Sequence, residues 1–272
     1  MGRLTIRQTM ILIAAVAGLL GGFRFLGWLF EGRHTGCGRN VECASNQRNV
    51  VLGVLQYANE TGSFPRGTWP NADLGPDDRL SWYFATLRYL DNEDLAKTID
   101  QAGGWRVPQN QPAAAERIGV MNCPQTPRQV PGGYVCTAYV GIAGLGVDAP
   151  ILPKGHRRAG VFGYDRETSL KDITDGAFCT MVLAESSRSY GSWLTGGHAT
   201  VRGLDPSDQH YLGIDRQFGG LHFSRYSNGG ANVAFADGSI RFISETVDPR
   251  IFEALSTIAG GESLPPEAFS PQ

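Results

Sequence analysis

Lysine is close to absent from this chain: Lys97, Lys154 and Lys171 are the whole supply, and arginine carries nearly all the positive charge. Charged residues make up only 18% of the 272 positions and almost cancel, 24 basic against 26 acidic, for a net charge of −2. No run of basic residues forms a stripe, so no nucleic-acid partner held through its phosphates is expected. The five cysteines, Cys37, Cys43, Cys123, Cys136 and Cys179, contain no Cys-x-x-Cys pair. That removes the strong zinc and thioredoxin-type signals. His198, His210 and His222 fall in one interval without His-x-x-x-His or His-Glu-x-x-His spacing, which leaves no metal-ligand pattern. There is no Gly-x-Ser-x-Gly, no P-loop and no Gly-x-Gly-x-x-Gly after a strand, the usual marks of acyl transfer, phosphate binding and dinucleotide binding. Asp237, Asn232 and Asp215 could offer oxygens to calcium but lack Asp-x-Asp-x-Asp-Gly spacing, so Asp237-Gly238 is read as a turn. The expectation is a protein without catalytic residues, metal or cofactor.

What the chain has is an apolar run over residues 10–30, broken only by Arg24. At about 1.5 Å of rise per residue it just crosses about 30 Å of hydrocarbon. A cleaved signal peptide would need a small-x-small site, but Phe25-Leu26-Gly27-Trp28-Leu29-Phe30 follows. A lipoprotein reading through Cys37 is opposed by His34-Thr35-Gly36 before it. An uncleaved anchor fits best, its contacts at 10–30 being membrane lipid, with Arg24 snorkelling to the interface beside Trp28. Arg3 and Arg7 favour an N-inside orientation. The domain reading is a tail and anchor over 1–36, an extracytoplasmic body over 37–262 and a flexible tail over 263–272.

Glycines between 31 and 40 are expected to stop the membrane helix. From Cys43, apolar residues at Val50, Val51, Val54, Leu55 and Ala58 predict an amphipathic helix of about four turns, with Gln47 on its polar side, ending at Thr61-Gly62. A second helix is expected over 81–90, with Trp82, Leu87 and Leu90 inward, and a surface excursion over 101–116. Strands are expected over 134–142, 160–164 and 180–185, and irregular chain over 191–220. Asp237-Gly238 predicts a two-residue type I′ hairpin over 231–244, in which Val233, Phe235, Ile240 and Phe242 share one apolar face while Ser239 and Arg241 share a polar one. Asp248 and Pro249 start a last helix, with Ile251, Ala254, Leu255 and Ile258 buried.

For the cysteines, a bond between Cys43 and Cys123 and a set of buried unpaired thiols are both open readings. Glu185 closes an apolar strand, where a carboxylate either fixes neighbouring loops or lines a pocket with Arg188 and Tyr190. Together with Trp193 and Tyr211, Glu185 and Tyr190 form the candidate ligand-loop set.

The succession Cys43-Ala44-Ser45-Asn46-Gln47-Arg48, Tyr57 and Gly62-Ser63-Phe64-Pro65 resembles the opening of a large bacterial family of pseudopilin-like proteins of unknown function. The similarity continues through Leu80-Ser81-Trp82, Cys123-Pro124, Tyr139-Val140-Gly141, Gly160-Val161-Phe162-Gly163, Asp172-Ile173-Thr174-Asp175-Gly176 and Phe235-Ala236-Asp237-Gly238-Ser239. The resemblance implies an α+β fold, with a hydrophobic N-terminal helix continuing into an amphipathic one packed on a mainly antiparallel sheet. It implies a membrane-anchored, extracytoplasmic, non-catalytic protein like the major pseudopilin of type II secretion. Its partners would be further copies of itself or secretion-system proteins. Two motifs depart from the family pattern. Arg3-Leu4-Thr5-Ile6-Arg7 replaces the prepilin cleavage signature after Gly2, and Ser227 stands where a histidine precedes the Asp-Gly pair by nine residues or so. A tethered module binding a solute or glycan through loops 186–227 is the alternative expectation.

Overall fold

The computed structural model describes residues 36–124, 132–186, 188, 191–208, 210–213, 216–219 and 229–262. The anchor at 10–30, the tail at 263–272, Tyr190, Asp215, His222 and Ser227 lie outside them. Among the described residues, no helix is long and apolar enough to cross a membrane.

Helix α1 runs Gly36–Thr61, about two turns earlier than the start expected near Cys43. Gly36 and Gly38 cost a helix only about 1 kcal/mol each, too little to fix a boundary. Its end is set by Gly62, at φ 85°, whose N–H bonds to the Ala58 carbonyl at 2.9 Å. The buried stripe is Cys43, Gln47, Val50, Val51, Val54 and Ala58. Gln47 therefore lies on the inner face, not the polar one. It is four residues after Cys43 and three before Val50, which is the stripe's own spacing.

The sheet contains five strands: β1 (Tyr139–Leu145), β2 (Met181–Glu185), β3 (Val201–Leu204), β4 (Gly230–Phe235) and β5 (Ile240–Ser244). Their order is β3-β1-β2-β4-β5. The pairs β1/β2, β2/β4 and β4/β5 are antiparallel, but β3 joins the edge parallel to β1. The sheet is thus mixed. Strand β3 lies inside the stretch expected to be irregular; four residues carrying Arg202 and Gly203 show no readable alternation. The expected strand at 160–164 is not one. It laces onto β1 through the Gly160 N–H to Ala143 O (2.6 Å) and the Phe162 N–H to Ile142 O (3.0 Å), beside a register shift between Ile142 and Gly144.

The hairpin forms with a different register. Ala234 faces Ile240, Val233 faces Arg241 and Asn232 faces Phe242, a slip of one residue. The loop has three residues, Ala236, Asp237 and Gly238, closed by the Phe235 N–H to Ser239 O (2.9 Å). Only Gly238, at φ 84°, is left-handed; Asp237 is not. This is the type I turn with a following αL residue, not type I′. The slip puts Val233, Phe235, Arg241 and Ile243 on one face and Ala234 and Ile240 on the other. Both faces of the sheet carry buried side chains, although Phe242 at its edge is exposed. One lies against α1 and carries Tyr139, Ala143, Val182 and Ala234; the other carries Val140, Ile142, Val233, Phe235 and Ile243. A single apolar face was the wrong expectation because the sheet is covered on both sides.

Helix α2 (Trp82–Thr86) continues into a tight turn at Leu87–Leu90, with Trp82, Leu87 and Leu90 buried. Two short helices follow, α3 (Glu93–Thr98) and α4 (Gln111–Ala114). The region 101–116 is not a surface excursion, since Trp105, Asn110, Ala113 and Ala114 are buried. The Asn110 side chain stands in for a turn there, donating to the Asp100 and Gly104 carbonyls at 2.9 and 3.0 Å. Helix α5 (Pro249–Leu255) is capped by Asp248, which accepts from the Arg250 N–H at 2.9 Å. It covers the second face with Phe252 and Leu255, and Ile251 is only partly buried.

Candidate functional site

Polar side chains collect where α1 meets the sheet. Cys43 of α1 is disulfide-bonded to Cys123, 80 residues away. The Tyr139 hydroxyl of β1 donates to the Cys43 carbonyl at 2.7 Å. The Gln47 amide donates to the Leu183 and Asn232 carbonyls at 3.3 and 3.2 Å, so one side chain of α1 joins β2 to β4. The Asn232 N–H donates to Glu185 Oε2 at 2.8 Å. Next to Gln47, the Asn46 amide reaches the Asn122 carbonyl at 2.9 Å, beside the disulfide. The structure therefore brings Cys43, Cys123, Glu185 and Asn232 into one buried joint, and adds Gln47 and Tyr139.

The two sulfurs and a Glu185 carboxylate oxygen lie within 4.8 Å of one another. Sulfurs bonded to each other are not thiolates, so this trio does not offer a metal its ligands. Glu185 has 2% of its surface exposed. Burial pushes its carboxyl up to about 7, against the lowering effect of the Asn232 bonds. Burial also raises the Tyr139 hydroxyl, and the nearby Glu185 charge adds to it. The joint can thus hold one proton near neutrality while it locks the helix to the sheet.

That proton has a measurable consequence. The folded pKa of Glu185 lies above the ordinary value of 4.5, so its contribution is fully present below about pH 4.5 and is lost as the pH rises through about 7. The native protein is expected to lose about 3 kcal/mol from this group between pH 4.5 and 8. Glu185→Gln keeps an oxygen for the Asn232 N–H and removes the titration. Urea melts across this pH range are expected to show a flatter profile for the variant; parallel profiles would contradict the assignment.

The ligand-loop candidates do not converge. The Trp193 indole is buried in the cluster on the α1 face and donates to the Glu116 carbonyl at 3.1 Å. Tyr211 belongs to the opposite cluster, near Phe252 with ring centroids 5.7 Å apart, and its hydroxyl donates to Glu253 Oε1 at 2.5 Å. The sheet lies between these two aromatics, so they line no common recess. Asp237 serves its own loop, with Oδ1 accepting from the Ser239 N–H at 2.9 Å and its hydroxyl at 2.6 Å. It is apart from Asn232, which sits in the joint. His198 is tied by its backbone N–H to Asp77 Oδ1 at 3.0 Å, and burial, helped by Arg202, lowers its imidazole. His210 is exposed in a separate loop.

A family model described as "Protein of unknown function (DUF1559)" matches residues 37–250. Comparisons with curated proteins and with solved structures returned no match.

Proposed function

The chain belongs to the DUF1559 family, and from that membership and the construction of α1 we propose that it is a membrane-tethered, extracytoplasmic, pseudopilin-like structural protein of a secretion or surface assembly. The observation that carries the reading is α1 itself. Its 26 residues begin just after the apolar run, and within its first half Cys43 is bonded covalently to Cys123 and Gln47 by hydrogen bonds to the sheet. A helix held this way passes force and position from a membrane segment to the body. The buried Cys43–Cys123 bond suits an oxidising compartment outside the cytoplasm. The outer face of α1 carries exposed Val41 and Leu52, eleven residues or about three turns apart, and so on one side. That side offers a surface to a neighbouring copy.

The full chain in mild detergent is expected to sediment as a multimer. Leu52→Asp, on the exposed side, is expected to shift it toward monomer while leaving the melting temperature within about 2 °C, as surface substitutions do. A wild-type chain that is monomeric across the accessible concentration range would overturn the assembly reading.

A further inference from the structure

Away from the joint, the last turns of α1, the strap after Gly62 and α2 enclose a recess of about 340 Å³. Its floor is Phe64 and Trp82, both buried. Its walls are the half-buried rings of Tyr57 and Trp69. Each ring is fixed by an edge-to-face neighbour, Tyr57 by Tyr89 at 6.1 Å and Trp69 by Phe84 at 4.8 Å between centroids. The strap is pinned by backbone bonds from the Phe64 N–H to Thr168 O (2.7 Å), the Gly67 N–H to Gly163 O (2.8 Å) and the Trp69 N–H to Leu80 O (2.8 Å). The recess is therefore preformed, and a ligand entering it meets little ordering cost. At the rim the Arg66 guanidinium donates to Glu167 Oε1 through Nε at 3.0 Å and Nη2 at 2.8 Å, and both side chains are open to solvent.

We propose that this recess binds a single neutral pyranose ring of a saccharide, seated between Trp69 and Tyr57 with its hydroxyls on Arg66 and Glu167. The volume lies at the small end of ligand pockets, enough for one ring and its substituents. The aromatic walls suit the apolar C–H face of a sugar, and the planar ion pair offers donors and an acceptor side by side at the edge. One arginine against one glutamate leaves the lining without net charge. An anion would meet Glu167 and a cation would meet Arg66. A wholly apolar ligand would strip water from the ion pair without replacing its hydrogen bonds. The site is independent of the loops around Trp193 and Tyr211 and does not require assembly.

The test uses the full chain in detergent, titrated calorimetrically with cellobiose, maltose and N,N′-diacetylchitobiose up to about 20 mM, a range that captures millimolar affinity. At least one is expected to bind one-to-one with millimolar affinity or tighter. Glu167→Ala removes an exposed acceptor and is expected to weaken that binding about tenfold with the melting temperature unchanged, the scale of a lost hydrogen bond to a charged group. Trp69→Ala is expected to abolish it. Absence of binding by all three sugars would overturn the proposal. So would sugar binding that both variants leave intact, or Trp69-dependent binding of choline chloride or sodium acetate in place of the sugars.

Discussion

Replacing Cys43 and Cys123 together by serine is expected to cost about 4 kcal/mol and to lower the melting temperature by on the order of 10 °C. The estimate comes from the separation of 80 residues that the bond closes; the cross-link removes loop-closure freedom from the unfolded chain. Both sulfurs are buried in the joint, so each serine hydroxyl would need a hydrogen-bond partner there. Denaturation of the double variant beside the native protein, each without reductant, measures the effect. Adding reductant should then move the native protein toward the variant and leave the variant where it is. A double variant within about 1 kcal/mol of the native protein would mean that hydrogen bonds from Gln47 and Tyr139 hold α1 unaided.

Arg166→Met is expected to be as damaging, with a loss of about 4 kcal/mol. Arg166 is buried, and its guanidinium reaches five backbone carbonyls. Nη1 donates to Ala149 O (3.2 Å) and Leu152 O (2.5 Å), and Nη2 to Ala143 O (3.0 Å), Gly160 O (3.0 Å) and Phe162 O. One side chain thus ties β1, the turn after it and the segment at 160–162. Burial pulls its pKa down to about 10, yet it stays charged at neutral pH. Methionine fills much of the volume and leaves the carbonyls without their donors. Arg166→Lys keeps the charge but supplies three donors to five acceptors, so it should recover only part of the loss. Equal stability of the methionine and native proteins in chemical denaturation would show that water satisfies those carbonyls.

The disulfide and Arg166 mark the boundary of what is legible in the sequence. Helix α1, the tight helix at 81–90, β2, the hairpin's existence and the Asp248 cap follow from apolar spacing and from turn and cap chemistry acting over a few residues. The hairpin register did not follow, because Asp-Gly serves both a two-residue and a three-residue loop and the choice moves every partner by one. The segment at 160–164 looked like a strand because Val161 and Phe162 are apolar. Its glycines answer a different demand: a Cβ on Gly163 would lie 2.7 Å from Arg166 Cζ. Apolar spacing does not reveal that the arginine three residues on folds back into that space. In the joint, Cys43, Cys123, Glu185 and Asn232 were each visible as unusual residues. Gln47 is less legible, because a polar residue in an amphipathic stripe reads as a surface position unless its phase is counted. The recess at Trp69 is not legible in the sequence because Tyr57, Arg66, Trp69 and Glu167 come from separate parts of the chain and carry no joint spacing.

The proposed function requires a body held outside the cytoplasm by the apolar segment ahead of α1. Its most direct test is proteinase K treatment of intact spheroplasts from a Gram-negative host making the full chain, followed by detection of the body in the membrane pellet. A membrane-bound chain is expected, its body degraded by protease added from outside while a cytosolic marker survives. A body that stays intact until the cells are lysed, or that is recovered in the soluble cytosolic fraction, would contradict it.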